Sequence, residues 1–398
     1  MRLGVVCEYN PFHRGHLYHL RESRRAVGED AAVVCVMSGD FVQRGEAAVY
    51  SKYARAEAAV ACGADLVVEL PLPWCLSSAE GFARGAVGLL GALGVERLCF
   101  GSESGETGAI EELAALVCSE TFLESVKARM RADGTLSFAA AREAAARERL
   151  GETAELLGRP NDILAVEYCK AIRMGGYAMR PFAVKRIGSG HDRSEGEGPC
   201  SASELRHRLC AGESVEGEIP PEAERVFRRE SEHGRALLRR DALELPMLAR
   251  LRSLTEEDFL ALPDATDGLG QRLYRAVQEE PCLDAIHAAA RTKRYALARI
   301  RRLCLCACLG VKKGMAEGVP PYARVLAANE RGRASLRDIS RCAQIPILTK
   351  PAAVRTLPEN CAALFSLGAQ AHDFYVLGRP EQTERRPGED WRTGPALL

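Results

Sequence analysis

The stretch Leu3-Gly4-Val5-Val6-Cys7-Glu8-Tyr9-Asn10-Pro11-Phe12-His13-Arg14-Gly15-His16-Leu17 constrains this chain more than any other. Residues 3–7 are a short, mostly apolar run, long enough for a buried strand. Asn10-Pro11 is turn chemistry, because Pro11 fixes its own φ and pushes Asn10 out of the helical region. From His13 onward Leu17 and Leu20 fall three apart, which predicts the start of a helix. A buried strand, a tight turn and a helix bring unpaired N–H donors and a partial positive charge to one point, an arrangement suited to phosphate.

His13 and His16 are three residues apart and project from one side of that first helical turn. Gly15 between them lets a ligand approach the backbone. Two imidazoles in this position can donate hydrogen bonds to the phosphates of a nucleotide and stabilise a departing pyrophosphate. A surface helix that happens to carry histidines has the same bare pattern. A zinc site with His19 as third ligand fits less well, since the three rings drift around the helix and no cysteine pair is near.

The rest of the first half repeats the strand and helix alternation. Residues 32–37, 65–70, 97–100 and 181–185 read as strands, with helices over 52–62 and 77–93 and a helical stretch over 106–158. This alternation predicts an α/β fold with an open, doubly wound parallel sheet, and ligands bind at the carboxyl ends of such strands. The loop leaving the second strand holds Asp40, Gln43, Arg44 and Glu46, and the fourth strand runs into Gly101. Asn161, after Pro160, opens a helix where it could cap the end or meet a ligand. Arg186-Ile187-Gly188-Ser189-Gly190-His191-Asp192 is a glycine-rich loop with two cations at its entry, and Ser201 with Glu204 fits a capping box.

Beyond Pro220-Pro221 the chain turns to helices rich in Arg, Glu, Leu and Ala, so we expect a catalytic domain over 1–217, a mainly helical domain over 218–377 and a loose tail over 378–398. Arg291, Lys293, Arg294, Arg299, Arg301 and Arg302 crowd a single expected helix without an acid among them. Such a run is either a solvated face or a contact for a phosphate backbone. Over all 398 residues the 54 basic and 54 acidic side chains balance, which argues against indiscriminate coating of nucleic acid and leaves room for a local basic face. No apolar stretch approaches a membrane span and the N-terminus enters strand residues directly, so the cytoplasm is expected. The 15 cysteines form no C-x-x-C pair, and on a helix Cys306 points away from Cys304 and Cys308, so no metal site is expected.

Glu8-Tyr9-Asn10-Pro11-Phe12-His13-x-Gly15-His16, followed by Met37-Ser38-Gly39-Asp40-Phe41-Val42-Gln43-Arg44-Gly45-Glu46, resembles the tRNA(Met) cytidine acetate ligases of the HIGH-type nucleotidyltransferase superfamily. The resemblance implies a Rossmann-like catalytic domain that uses ATP, with Mg²⁺, to make acetyl-adenylate from acetate. It implies transfer of the acetyl group to the wobble cytidine of elongator tRNA(Met), giving N4-acetylcytidine. By the same resemblance ATP lies on the turn Val6-Cys7-Glu8-Tyr9-Asn10-Pro11-Phe12-His13-Arg14-Gly15-His16-Leu17-Tyr18-His19 and meets Gly101, Asn161, Arg186 and Ile187. His13, His16, Asp40, Arg186 and Ser203 would carry the chemistry, Ser203 standing where the family commonly has threonine. The basic run would hold tRNA, and a homodimer is open. Two other readings share the core motif: a nucleotidyltransferase acting on a small cofactor precursor, for which the second half would be surplus, and a tRNA-binding protein without catalysis.

Overall fold

The computed structural model describes residues 1–187 and 200–398; the run Gly188 to Asp192 singled out above lies outside the described residues. The first half builds the expected alternation: β1 (Arg2–Cys7), α1 (Arg14–Val27), β2 (Ala32–Ser38), α2 (Lys52–Ala61), β3 (Leu66–Leu70), α3 (Ala79–Ala92), β4 (Arg97–Ser102), α4 (Pro160–Gly175) and β5 (Arg180–Lys185). Residues 107–158 between β4 and α4 are helical, as expected. Further on come α5 (Ala202–Ala211), α6 (Leu297–Leu309), β6 (Ala323–Ala328), β7 (Ile347–Leu348), α7 (Glu359–Val376) and β8 (Ala396–Leu397).

Among the described residues the main sheet has eight strands in the order β8-β6-β3-β2-β1-β4-β5, with β7 also pairing β6. β2 is buried along its whole length, and its side chains alternate between two helical layers. Val33, Cys35 and Met37 share a cluster with Leu3, Val5, Leu20 and Ala54, on the side of α1 and α2. Val34 and Val36 share the other with Phe82, Ala86 and Leu90 of α3. A strand covered on both faces is a continuous apolar run, which is how β2 reads in sequence. The order 3-2-1-4-5 reverses direction between β1 and β4, and that reversal opens a crevice at the strands' carboxyl ends.

The second half departs from expectation in two ways. The sheet is not wholly parallel: β6 inserts antiparallel to β3, with Val67 opposite Ala327 and Glu69 opposite Arg324. Residues 378–398 are not a loose tail. They add β8 parallel to β6 and place Asp390 fully inside the protein. The divisions near 217 and 377 therefore do not follow the sheet, which takes strands from both halves.

The physical reason is a buried cluster of charge. Lys52 Nζ donates to Asp390 Oδ2 at 2.6 Å and Glu69 Oε1 at 2.9 Å, and Arg324 Nη1 donates to the same Asp390 oxygen at 2.7 Å. His372 of α7 bridges Asp40 at 2.8 Å and Glu389 at 3.0 Å, and Arg379 donates to Glu389 at 2.7 Å. Buried charges persist only when paired and hydrogen-bonded, and here the paired charges come from α2, β3, β6, α7 and the last residues. Trp391 fastens the same segment by packing on Phe365 with centroids 4.7 Å apart. No helix of the described residues is long and apolar enough to cross a membrane.

Candidate active site

A cavity of about 550 Å³ occupies the crevice between β1 and β4. His13 and His16 enter it from the start of α1. His13 is the N-cap: its Nδ1 accepts the Gly15 N–H at 3.0 Å, while its own backbone N–H donates to His16 Nδ1 at 3.3 Å. This reciprocal capping box is made by two imidazoles instead of a hydroxyl and a carboxylate. It settles the tautomers, because a ring nitrogen that accepts carries no proton, so each Nε2 bears the hydrogen. The rings lie 3.8 Å apart, and no acid occupies the first turn of α1. Burial, with Arg186 nearby, lowers His13 to about 4; burial, His13 and Arg186 hold His16 well below the usual histidine value. Two neutral N–H donors at a helix N-terminus are therefore preorganised for an anion.

Cations complete the wall. Arg186 lines the cavity beside Gly101, where a Cβ would come within 3.4 Å of Arg186 Cγ, and its buried Nε has no partner among the described residues. Arg206 of α5 donates to the Asn10 carbonyl at 2.8 Å and to Ser203 Oγ at 3.2 Å. The Asn10 amide is oriented by Val49, whose N–H donates to Oδ1 at 2.9 Å, leaving a buried Nδ2 without a partner. Asn161 also lines the cavity, but its Nδ2 donates to Glu103 Oε1 at 2.6 Å. That carboxylate also accepts the Asn161 and Asp162 N–H groups, so Glu103 caps α4 and Asn161 does not. Phe82, Phe100, Leu164 and Tyr168 supply an apolar part of the lining.

The cavity gathers Val6, Cys7, Glu8, Tyr9, Asn10, His13, Gly15, His16, Tyr18, His19, Gly101, Asn161, Arg186 and Ile187 of the expected ATP contacts. Pro11, Phe12, Arg14 and Leu17 do not line it. Phe12 is fully buried against Tyr9, and Arg14 is exposed, with its backbone N–H on the Glu218 carbonyl. Asp40 is turned away as well: Oδ2 is bound by His372 and Oδ1 accepts the Lys52 N–H, so it orders the loop instead of facing ligand. Ser203 reaches the site only through Arg206. Arg206 and Lys185 line it too, as do Phe100 and Tyr168, which the sequence left unassigned because an aromatic in an apolar run has many structural uses.

The basic run is not one helix. α6 begins only at Leu297; Arg291, Lys293 and Arg294 occupy the preceding turn, closed by a bridge between Thr292 and Tyr295. Those three side chains are exposed and hydrogen-bond to none of the described residues. The other three are occupied. Arg299 donates to the Asp264 carbonyl and Thr266 Oγ1, Arg301 to Glu46 Oε1 at 2.6 Å, and Arg302 to the Gln43 carbonyl at 3.2 Å. Residues 41–47 form a small hairpin wedged between the cavity and α6. Gly45 at its turn has φ +77°, and a Cβ there would lie 2.5 Å from Arg302 N. Cys304, Cys306 and Cys308 are packed in the apolar core, where burial pushes Cys304 and Cys306 up to about 12.

A larger cavity, about 720 Å³, lies by the C-terminal segment. Its arginines include Arg229, Arg235 and Arg379, which are ion-paired to Glu57, Glu384 and Glu389. None of the motif residues reaches it.

Comparison with known proteins agrees with the geometry. The model of the HIGH nucleotidyl transferase family matches residues 1–390. The tRNA(Met) cytidine acetate ligase of Syntrophotalea carbinolica is 40% identical over 358 residues, covering 87% of this chain and 84% of that protein. The ligase of the same name from Syntrophomonas wolfei is 34% identical over 410 residues, covering 99% and 98%. The crystal structure of Thermotoga maritima TmcAL bound with alpha-thio ATP superimposes with a TM-score of 0.93 at 30% identity, over 100% of this chain and 99% of that one.

Proposed function

This chain belongs to the tRNA(Met) cytidine acetate ligase family of HIGH nucleotidyl transferases, and from that premise we propose that it uses ATP to activate acetate and acetylates the wobble cytidine of elongator tRNA(Met) in the cytoplasm. The observation that carries the proposal is the pair of neutral Nε2–H donors fixed by reciprocal capping at the crevice. ATP lies there with its phosphates against His13, His16, Arg186 and Arg206. An acetate oxygen attacks the α-phosphorus in line and pyrophosphate leaves. This half-reaction needs positioning and charge neutralisation and no nucleophilic side chain. The described residues offer no group of three His, Cys, Asp or Glu that could hold a metal. Mg²⁺ accompanying ATP would be held chiefly through the phosphates and would neutralise their charge.

Phosphates of tRNA meet Arg291, Lys293 and Arg294, the cations of the basic run left free for a partner. The test is incubation of the purified protein with ATP, labelled acetate and bulk tRNA. We expect label in tRNA together with AMP and pyrophosphate. Transfer of AMP to a small acceptor with unlabelled tRNA would point to a cofactor nucleotidyltransferase instead, and tRNA binding without turnover to a binding protein.

A further inference from the structure

Acetyl transfer to an amine requires a proton acceptor, and the cavity holds few. His13 and His16 present Nε2–H groups, their Nδ1 atoms being spent on the caps, and His19, lowered to about 4 by burial with Arg186 nearby, packs its Nε2 3.4 Å from the Cys99 Sγ. Arg44, Lys185, Arg186 and Arg206 are cations, and Asn10, Gln43 and Asn161 are amides. Ser201 Oγ accepts the Glu204 N–H at the start of α5. The Cys7 thiol and the Tyr9 and Tyr168 hydroxyls are pushed upward by burial and stay protonated. Nearby acids are consumed: Asp40 by His372, Glu46 by Arg301, Glu103 by the α4 cap. Among the described residues Glu8 is the one carboxylate that lines the cavity.

Its position is also suited to the task. Glu8 follows β1 directly, and Oε1 accepts the Gln43 N–H at 2.7 Å, which fixes the carboxylate and leaves Oε2 without a partner among the described residues. The Gln43 carbonyl in turn accepts from Arg302 of α6. The hairpin thus joins Glu8 to the element whose preceding turn exposes Arg291, Lys293 and Arg294.

We propose that Glu8 is the general base of acetyl transfer. The exocyclic amine of cytidine attacks the acetyl carbonyl, the C–N bond forms, and the C–O bond to phosphate breaks. AMP leaves with the bonding pair, and the amine proton passes to Glu8 Oε2 and then to water. The inference rests on the ligase reading above and extends it to a named residue. Its surroundings agree: burial raises the Glu8 carboxyl, while the Gln43 N–H and the Arg55, Arg206 and Arg44 guanidiniums hold it partly down, and Tyr168 and Cys75 face it as neutral groups. A base raised toward the working pH is the more effective one.

Glu8→Gln keeps the acceptor for Gln43 and removes the base. With acetyl-adenylate supplied to enzyme and tRNA in a single turnover, transfer should fall about 10²- to 10⁴-fold, the usual worth of such a group. Pyrophosphate exchange with acetate should fall far less. The wild-type transfer rate should show an acid limb that Glu8→Gln lacks and Glu8→Asp, with its shorter carboxylate, partly restores. Equal loss in both half-reactions would assign Glu8 to the nucleotide or its metal and overturn the proposal. Undiminished transfer would overturn it too, the adenylate's own phosphate oxygen then taking the proton. If the wild-type protein labels no tRNA at all, the ligase reading fails, and not merely this one.

Discussion

His13 and His16 each use one ring for two purposes: Nδ1 caps the helix and Nε2 faces the cavity. His13→Ala or His16→Ala should slow pyrophosphate exchange about 10²- to 10³-fold, the cost of one preorganised donor. The lost cap should cost only about 1 kcal/mol of stability. Near-normal exchange in a folded variant would remove the phosphate assignment. Because burial holds His13 at about 4, the exchange rate should show no limb near pH 6.5. A limb there that vanishes in His13→Ala would mean that an imidazolium does the work. For stability the sign is the reverse of a paired histidine. The unfolded ring binds a proton below about 6.5 and the native ring does not, so His13 subtracts stability as pH falls from there toward 4.

At the scale of elements, the exposed turn before α6 and the hairpin at residues 41–47 do different jobs. Neutralising Arg291 and Arg294 together should lower the slope of log K against log salt for tRNA by roughly 0.7–0.9 per lost contact. ATP binding should barely respond, and all tRNAs should be weakened alike, since phosphate contacts position without specifying. An unaltered salt slope would make these cations a solvated face. Gly45→Ala should weaken the seat of α6, because positive φ and the Arg302 backbone both oppose a methyl; its thermal unfolding should come earlier than the wild type's. The elements of the first half were legible because their strands are apolar runs bounded by turns. β6 was not: Ala323-Arg324-Val325-Leu326-Ala327-Ala328 has alanine throughout and a charge inside, features of a helix. Asp390 and Glu69, both distant in sequence, make that arginine acceptable in a sheet. The basic run misled in the same way, since composition does not tell which arginines find partners within the chain. The turn from β1 to α1 was legible as a turn, because a proline, a glycine and two histidines leave the backbone few options, but not residue by residue: Pro11, Phe12, Arg14 and Leu17 do not line the cavity, and Glu8 was read only as one more contact of the turn.

For the whole molecule, the buried charge cluster is the joint between halves. Asp390→Ala should cost about 3–5 kcal/mol, the usual penalty for leaving buried cations without their anion, read as a lower urea midpoint. Cluster titration sets a second expectation. Burial pulls His372 down, but contact with Asp40, Asp390 and Glu389 outweighs it and raises the ring to about 9, against about 6.5 in the unfolded chain. The native state then holds an extra proton between those values. Its contribution, on the order of 3 kcal/mol, is complete below pH 6.5 and lost as pH rises through 9. Urea melts from pH 6 to 9.5 should show that decline, and His372→Gln should flatten it; equal slopes for both proteins would refute the charged imidazole. The cluster also imposes a timetable on synthesis. Lys52 precedes Asp390 by 338 residues, so at translation rates of about 5–20 residues per second it waits roughly 20–70 s for its counter-ion. For most of that interval the sheet lacks β6, and for all of it β8, so the edge of β3 stays open to wrong pairing.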